Sequence, residues 1–159
     1  MLRFLPAPLC GVLSIVLYAL NTIFWCVPLF AVAIIKFLVP VPGFRRWCGK
    51  ILVVIAFAWV QCNNLNQRLF HRIDFTINGL EKLNRKDWYL VIANHQSWVD
   101  ILVLQRVFYR KIPFLKFFLK KELIWVPVLG LAWWALDFPF MRRYSSAFIK
   151  KNPHLKGKD

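Results

Sequence analysis

The longest uncharged stretch of this chain runs from Phe4 to Ile35, bracketed by Arg3 and Lys36. As a helix it would be roughly 48 Å long, more than the ~30 Å hydrocarbon core of a bilayer requires. Pro8, Gly11 and Pro28 make its ends irregular and centre the span near Leu9–Val27. Arg3 before the run and Ala31-Val32-Ala33 near its end imitate a secretory signal. Signal apolar regions, however, run only about 7–15 residues. The sequence therefore predicts a retained membrane anchor.

Lys36, Arg45, Arg46 and Lys50 follow this run, around the loop Pro40-Val41-Pro42-Gly43. The next apolar stretch, Ile51–Val60, is too short to cross a bilayer and fits an interfacial, re-entrant or packed helix. Because these cations outweigh Arg3, the positive-inside rule places everything after residue 36 in the cytoplasm. The expected location is an inner or plasma membrane with the catalytic part facing the cytoplasm. The whole chain carries 22 Lys and Arg against 7 Asp and Glu, a net charge of +15, yet 59% of its residues are hydrophobic. That combination suits anionic membrane lipids as partners. It does not suit nucleic acid, because the aromatics sit in apolar stretches such as Leu131-Ala132-Trp133-Trp134-Ala135-Leu136 rather than interleaved with cations. Cys10, Cys26, Cys48 and Cys62 lack metal-ligand or redox spacing and read as small apolar residues of a reduced compartment.

The character changes near residue 63, which divides the chain into an anchoring part, residues 1–62, and a folded part, residues 63–159. Phe75-Thr76-Ile77 before Asn78-Gly79 reads as a short strand and turn. Trp88–Ala93 is a nearly continuous apolar run, the pattern of a strand buried on both faces of a parallel sheet. Ser97–Tyr109 reads as a helix, Ile112–Phe118 as a strand, Val126–Ala135 as a short helix and Phe138–Met141 as a strand. This alternation predicts an α/β fold.

His95 follows the expected strand 88–93 and precedes the helix, where ligand sites gather in open α/β sheets. Asp100 stands five residues on, in Asn94-His95-Gln96-Ser97-Trp98-Val99-Asp100. The spacing alone is weak, since His154 and Asp159 repeat it in a Lys-rich tail. Ser97 and Asp100 also have capping-box spacing. An acid fixed there can nevertheless orient the imidazole and stabilise its protonated form, as in hydrolase triads. Ser97 reads as a cap rather than a nucleophile, because no glycine flanks it to form an elbow. His71 and Asp74 have no metal-ligand spacing, so no metal is expected. Lys116, Lys120, Lys121, Arg142 and Arg143 form either a solvated basic face or a phosphate clamp.

Taken together, these blocks resemble a family. Asn94-His95 with Asp100 is similar to the N-H-x4-D block of the glycerol-3-phosphate and lysophosphatidic acid acyltransferases. Lys120-Lys121-Glu122-Leu123, then Pro127 and Gly130, resembles their K-x-E-L…P…G segment. Phe140-Met141-Arg142-Arg143 resembles the end of their G-x-x-F-x-x-R block, with Asp137 where Gly usually stands. The resemblance covers roughly residues 65–145. It implies transfer of a fatty acyl group from coenzyme A or acyl carrier protein to a lysophospholipid hydroxyl, with no further cofactor. His95 would be the base and Asp100 its orienting partner, while Arg143, with Lys120, would hold the acceptor's phosphate. The family's later E-G-T-R and Val-Pro segments are not met before residue 159. The expectation is therefore an incomplete glycerolipid-acyltransferase-like α/β domain behind membrane-anchoring helices, inactive as a truncated form. The alternative is a non-catalytic membrane protein that binds lipid or acts as a scaffold.

Overall fold

The computed structural model describes residues 6–71, 73–142 and 149–150. Two long helices open it, α1 (Ala7–Leu38) and α2 (Pro42–Phe70). Each has proline in its first turn, where the missing N–H is not needed. The break between them is also a proline effect. Val39 and Val41 precede Pro40 and Pro42 and are extended, because a following proline disfavours the helical region.

The two helices form an antiparallel hairpin. Its apolar contact uses small or compact residues, Cys26, Leu29, Cys48, Leu52 and Ala56, all buried. Polar side chains also lie inside. Asn21 donates from Nδ2 to Oδ1 of Asn63 at 2.7 Å and to the carbonyl of Trp59 at 3.2 Å. Near the open end Asn66 donates to the carbonyl of Ser14 at 2.9 Å, and the Ser14 hydroxyl meets Nε2 of His71 at 2.8 Å. The outward surface is apolar, with Ile15, Phe24, Val27, Phe37 and Val54 exposed. Both helices are long and apolar enough to cross a membrane. α2 is thus much longer than the expected Ile51–Val60. Hydropathy marked its apolar middle, whereas the asparagines that follow continue the helix because partners await them on α1.

The third helix, α3 (Trp98–Val107), packs on α2. Phe57 meets the rings of Tyr109 and Phe114 edge-on at 5.7 and 5.2 Å. Farther along, Gln67 donates to the Leu102 carbonyl at 3.4 Å. Residues 88–93, expected as a buried strand, belong to no ladder, and Trp88 and Ile92 are 95% and 88% exposed. Among the described residues, Phe75–Ile77 and Ile112–Phe118 likewise form no strand. An apolar run states a need for burial, but a strand exists only where a neighbour completes its hydrogen bonds.

The chain divides into two compact units, Met1–Leu115 and Lys116–Asp159, so the change of character expected at residue 63 falls inside α2. In the second unit β1 (Leu119–Lys120) pairs in parallel with β2 (Phe140–Met141), in register Leu119↔Phe140 and Lys120↔Met141. Between them run a 3-10 segment, Lys121–Trp125, and α4 (Leu129–Ala135). Gly130 sits so close to the backbone of Leu123 and Ile124 that a Cβ there would collide with both. Before α4 the Leu129 amide donates to the Pro127 carbonyl at 2.7 Å around Val128, whose φ is +64° and ψ −55°, a strained γ-turn. Among the described residues the sheet amounts to this one pair. The architecture described is mainly helical with little sheet, so the α/β expectation is not confirmed, although the parallel sense of the pair is the one the alternation implied.

Candidate functional site

The site begins with a local turn. Ser97 is extended and caps α3, its hydroxyl accepting from the Val99 amide at 3.3 Å. Asp100, in the first turn of the helix, reaches back so that Oδ2 accepts from the amides of Gln96 and Ser97 at 2.6 and 2.8 Å. The capping box read from the sequence is therefore formed, and it has a further member. His95 Nδ1 lies 3.2 Å from the same Oδ2.

This geometry has an electrostatic consequence. The Ser97 amide first, then that of Gln96, holds the Asp100 carboxyl below its ordinary value, and the charge of His95 acts in the same direction. An ionised carboxylate beside Nδ1 favours the tautomer with the proton on that nitrogen, which leaves Nε2 as the basic one. The imidazole is open to solvent, its side chain 62% exposed against 32% for Asp100. A solvent-facing imidazole with an acid behind it can accept a proton from an approaching hydroxyl or thiol.

His95 and Asp100 are thus brought together as the sequence predicts. Lys120 is exposed in β1, and Lys116 donates from Nζ to the Asp137 carbonyl at 3.2 Å. Arg143, like His154, lies outside the described residues. Asp137 has φ +57°, the left-handed conformation in which glycine is at ease and Asp is tolerated.

Sequence reasoning missed one cationic feature. Arg85 and Lys86, ahead of the 88–93 run, and Arg110 and Lys111, after α3, line a common cleft. Two basic pairs flanking one expected strand–helix unit were the available signal. Their meeting depends on α3 folding back along the segment before it.

A family model described as acyltransferase matches residues 74–155, a range that contains the His95–Asp100 turn, the Arg85–Lys111 cleft and Lys120. No curated protein and no solved structure matches the chain.

Proposed function

Since the chain belongs to the acyltransferase family, we propose that it moves a fatty acyl group from a thioester donor to the hydroxyl of a lysophospholipid. The favoured reaction is lysophosphatidic acid to phosphatidic acid, with acyl-coenzyme A or acyl carrier protein as donor. The observation that carries this reading is the His95–Asp100 contact at the start of α3. Nε2 of His95 takes the proton of the acceptor hydroxyl as its oxygen attacks the thioester carbonyl. Asp100 stabilises the imidazolium so formed. The tetrahedral intermediate then collapses, the C–S bond breaks, and the leaving thiolate takes the proton from His95. Base catalysis of this kind is worth about 10²–10⁴-fold. Arg143 and Lys120 are assigned to the acceptor's phosphate on the similarity of their blocks to the family's.

The hairpin's apolar exterior supports attachment to the bilayer, where acceptor and acyl chain reside, and its cations suit anionic lipids. The catalytic segment is placed on the cytoplasmic side. That orientation rests on the cations Lys36, Arg45, Arg46 and Lys50 that follow the first apolar run. Protease added outside intact cells should then leave residues beyond 71 uncut.

The test of the activity is transfer from labelled acyl-coenzyme A to lysophosphatidic acid in membranes carrying the protein, against membranes carrying His95→Ala. Product that depends on His95 supports the reading. Lipid binding without any His95-dependent product would favour the non-catalytic alternative.

A further inference from the structure

A cleft of about 560 Å³ is lined by Leu83, Asn84, Arg85, Lys86, Arg110 and Lys111. Four of the six are cations and none is an acid. One wall is a built turn, in which the Asn84 amide donates to the Tyr89 hydroxyl at 2.7 Å and the Lys86 amide donates to Asn84 Oδ1 at 3.1 Å. Asp87, the nearest acid in sequence, has its carboxylate engaged by the Tyr89 hydroxyl at 3.4 Å. The other wall holds Arg110 at φ +57°, a conformation that non-glycine residues seldom adopt. Like charges held together on two ordered segments call for an anionic ligand.

The surroundings say which anion. The Arg85 guanidinium lies over the ring of Phe57 at 5.8 Å, and Phe57 belongs to the apolar stretch of α2, one of the two candidate spans. Arg110 lies over Tyr109 at 5.6 Å, and Tyr109 itself packs on Phe57. The cleft therefore opens beside α2, with Tyr109, a residue type that sits at headgroup level, at its edge. It is open, unlike the enclosed pockets that bury most of a small solute. We propose that Arg85, Lys86, Arg110 and Lys111 dock on the phosphates of anionic phospholipids at the membrane surface. The contact goes beyond the hairpin's insertion and does not depend on the assigned reaction. It would hold the C-terminal end of α3 at the headgroups, while the other end of that ten-residue helix, roughly 15 Å away, carries Asp100.

The test places the full chain in nanodiscs of phosphatidylcholine alone, or of equal parts phosphatidylcholine and phosphatidylglycerol. The rate of acetylation at Lys86 and Lys111 is read by mass spectrometry. Phosphatidylglycerol should slow both sites about tenfold, in keeping with several cations near an anionic surface, and high salt should reverse the effect. The double variant Arg85→Gln/Arg110→Gln should lose most of that protection, and Arg85→Lys/Arg110→Lys should keep it. Should the glutamine variant fail to fold, the comparison of the two lipid compositions on the unmodified chain decides alone. Equal rates in the two nanodiscs overturn the proposal. So does protection by free coenzyme A in neutral nanodiscs, which would make the cleft a site for the donor's phosphates.

Discussion

The α1–α2 hairpin and the turn before α3 place their polar groups on opposite sides. In the hairpin Ser14, Asn21, Asn63, Asn66 and Gln67 face inward, toward neighbouring helices, while leucine, isoleucine and phenylalanine cover the outside. At the start of α3 the apolar residues have no such cover, and His95 and Asp100 face outward. One chain is thus arranged for two solvents. Against lipid, polar groups must find partners inside, because the hydrocarbon offers none. At the turn the polar groups are the working surface, and their hydrogen bonds serve to aim them.

The largest test of this contrast removes the outward group. His95→Ala in membranes should reduce acyl transfer by at least the 10²–10⁴-fold of a lost general base, with retention through a carbonate wash unchanged. His154→Ala should leave transfer nearly intact. Equal losses from both would dissolve the special place given to the turn. Release of the unmodified protein by salt alone would show that charge rather than apolar burial holds the hairpin.

Next in size is the cap. Ser97→Ala removes the acceptor for the Val99 amide and should destabilise α3 by about 1 kcal/mol, read as faster amide exchange in its first turn. Loss of transfer to the level of His95→Ala would instead mean that Ser97 is the nucleophile. Smaller still is the inward pair. A double-mutant cycle on Asn21→Leu and Asn63→Leu, followed by unfolding from bicelles, should give a coupling of about 0.6 kcal/mol and no more than ~1.7. Zero coupling would mean that the 2.7 Å contact contributes nothing to hairpin pairing.

What was legible in the sequence divides along the same line. The dyad could be read because its hydrogen bonds join residues three to five positions apart, so spacing nearly determines contact. The first long helix could be read because an uncharged apolar run over 32 positions leaves few other ways to satisfy its backbone. The far end of α2 could not, since Asn63, Asn66 and Gln67 resemble a break until Ser14, Asn21 and Leu102 are seen to meet them. The 88–93 run misled because its side chains state a need for burial and nothing about a partner strand. At Asp137 the departure from the family's glycine gained a meaning only with a φ of +57°, which the aspartate bears at some strain. Gly130 shows the reverse case, a motif position explained by the backbone it lies against.

The smallest effect concerns pH, and its sign follows from the hydrogen bonds on Asp100. The Ser97 amide, then that of Gln96, favours the ionised carboxylate, so the folded value lies below the ordinary ~3.9 of an unfolded chain. A depressed folded value means that the unfolded state takes up its proton first as pH falls. The contribution to stability is thus complete above about pH 4 and is lost as pH drops through the lowered folded value. Between pH 5 and 8 Asp100 stays charged and the orientation of His95 stays constant, so any change in transfer over that range belongs to another group. The check is the ¹³C shift of the Asp100 carboxyl in nanodiscs as pH is lowered. It should titrate below a model aspartate, and Ser97→Pro, which deletes the Ser97 N–H that donates to Oδ2, should move it upward. Titration at or above the model value would mean that the amides do not hold this carboxylate, and the aiming of His95 would need another cause.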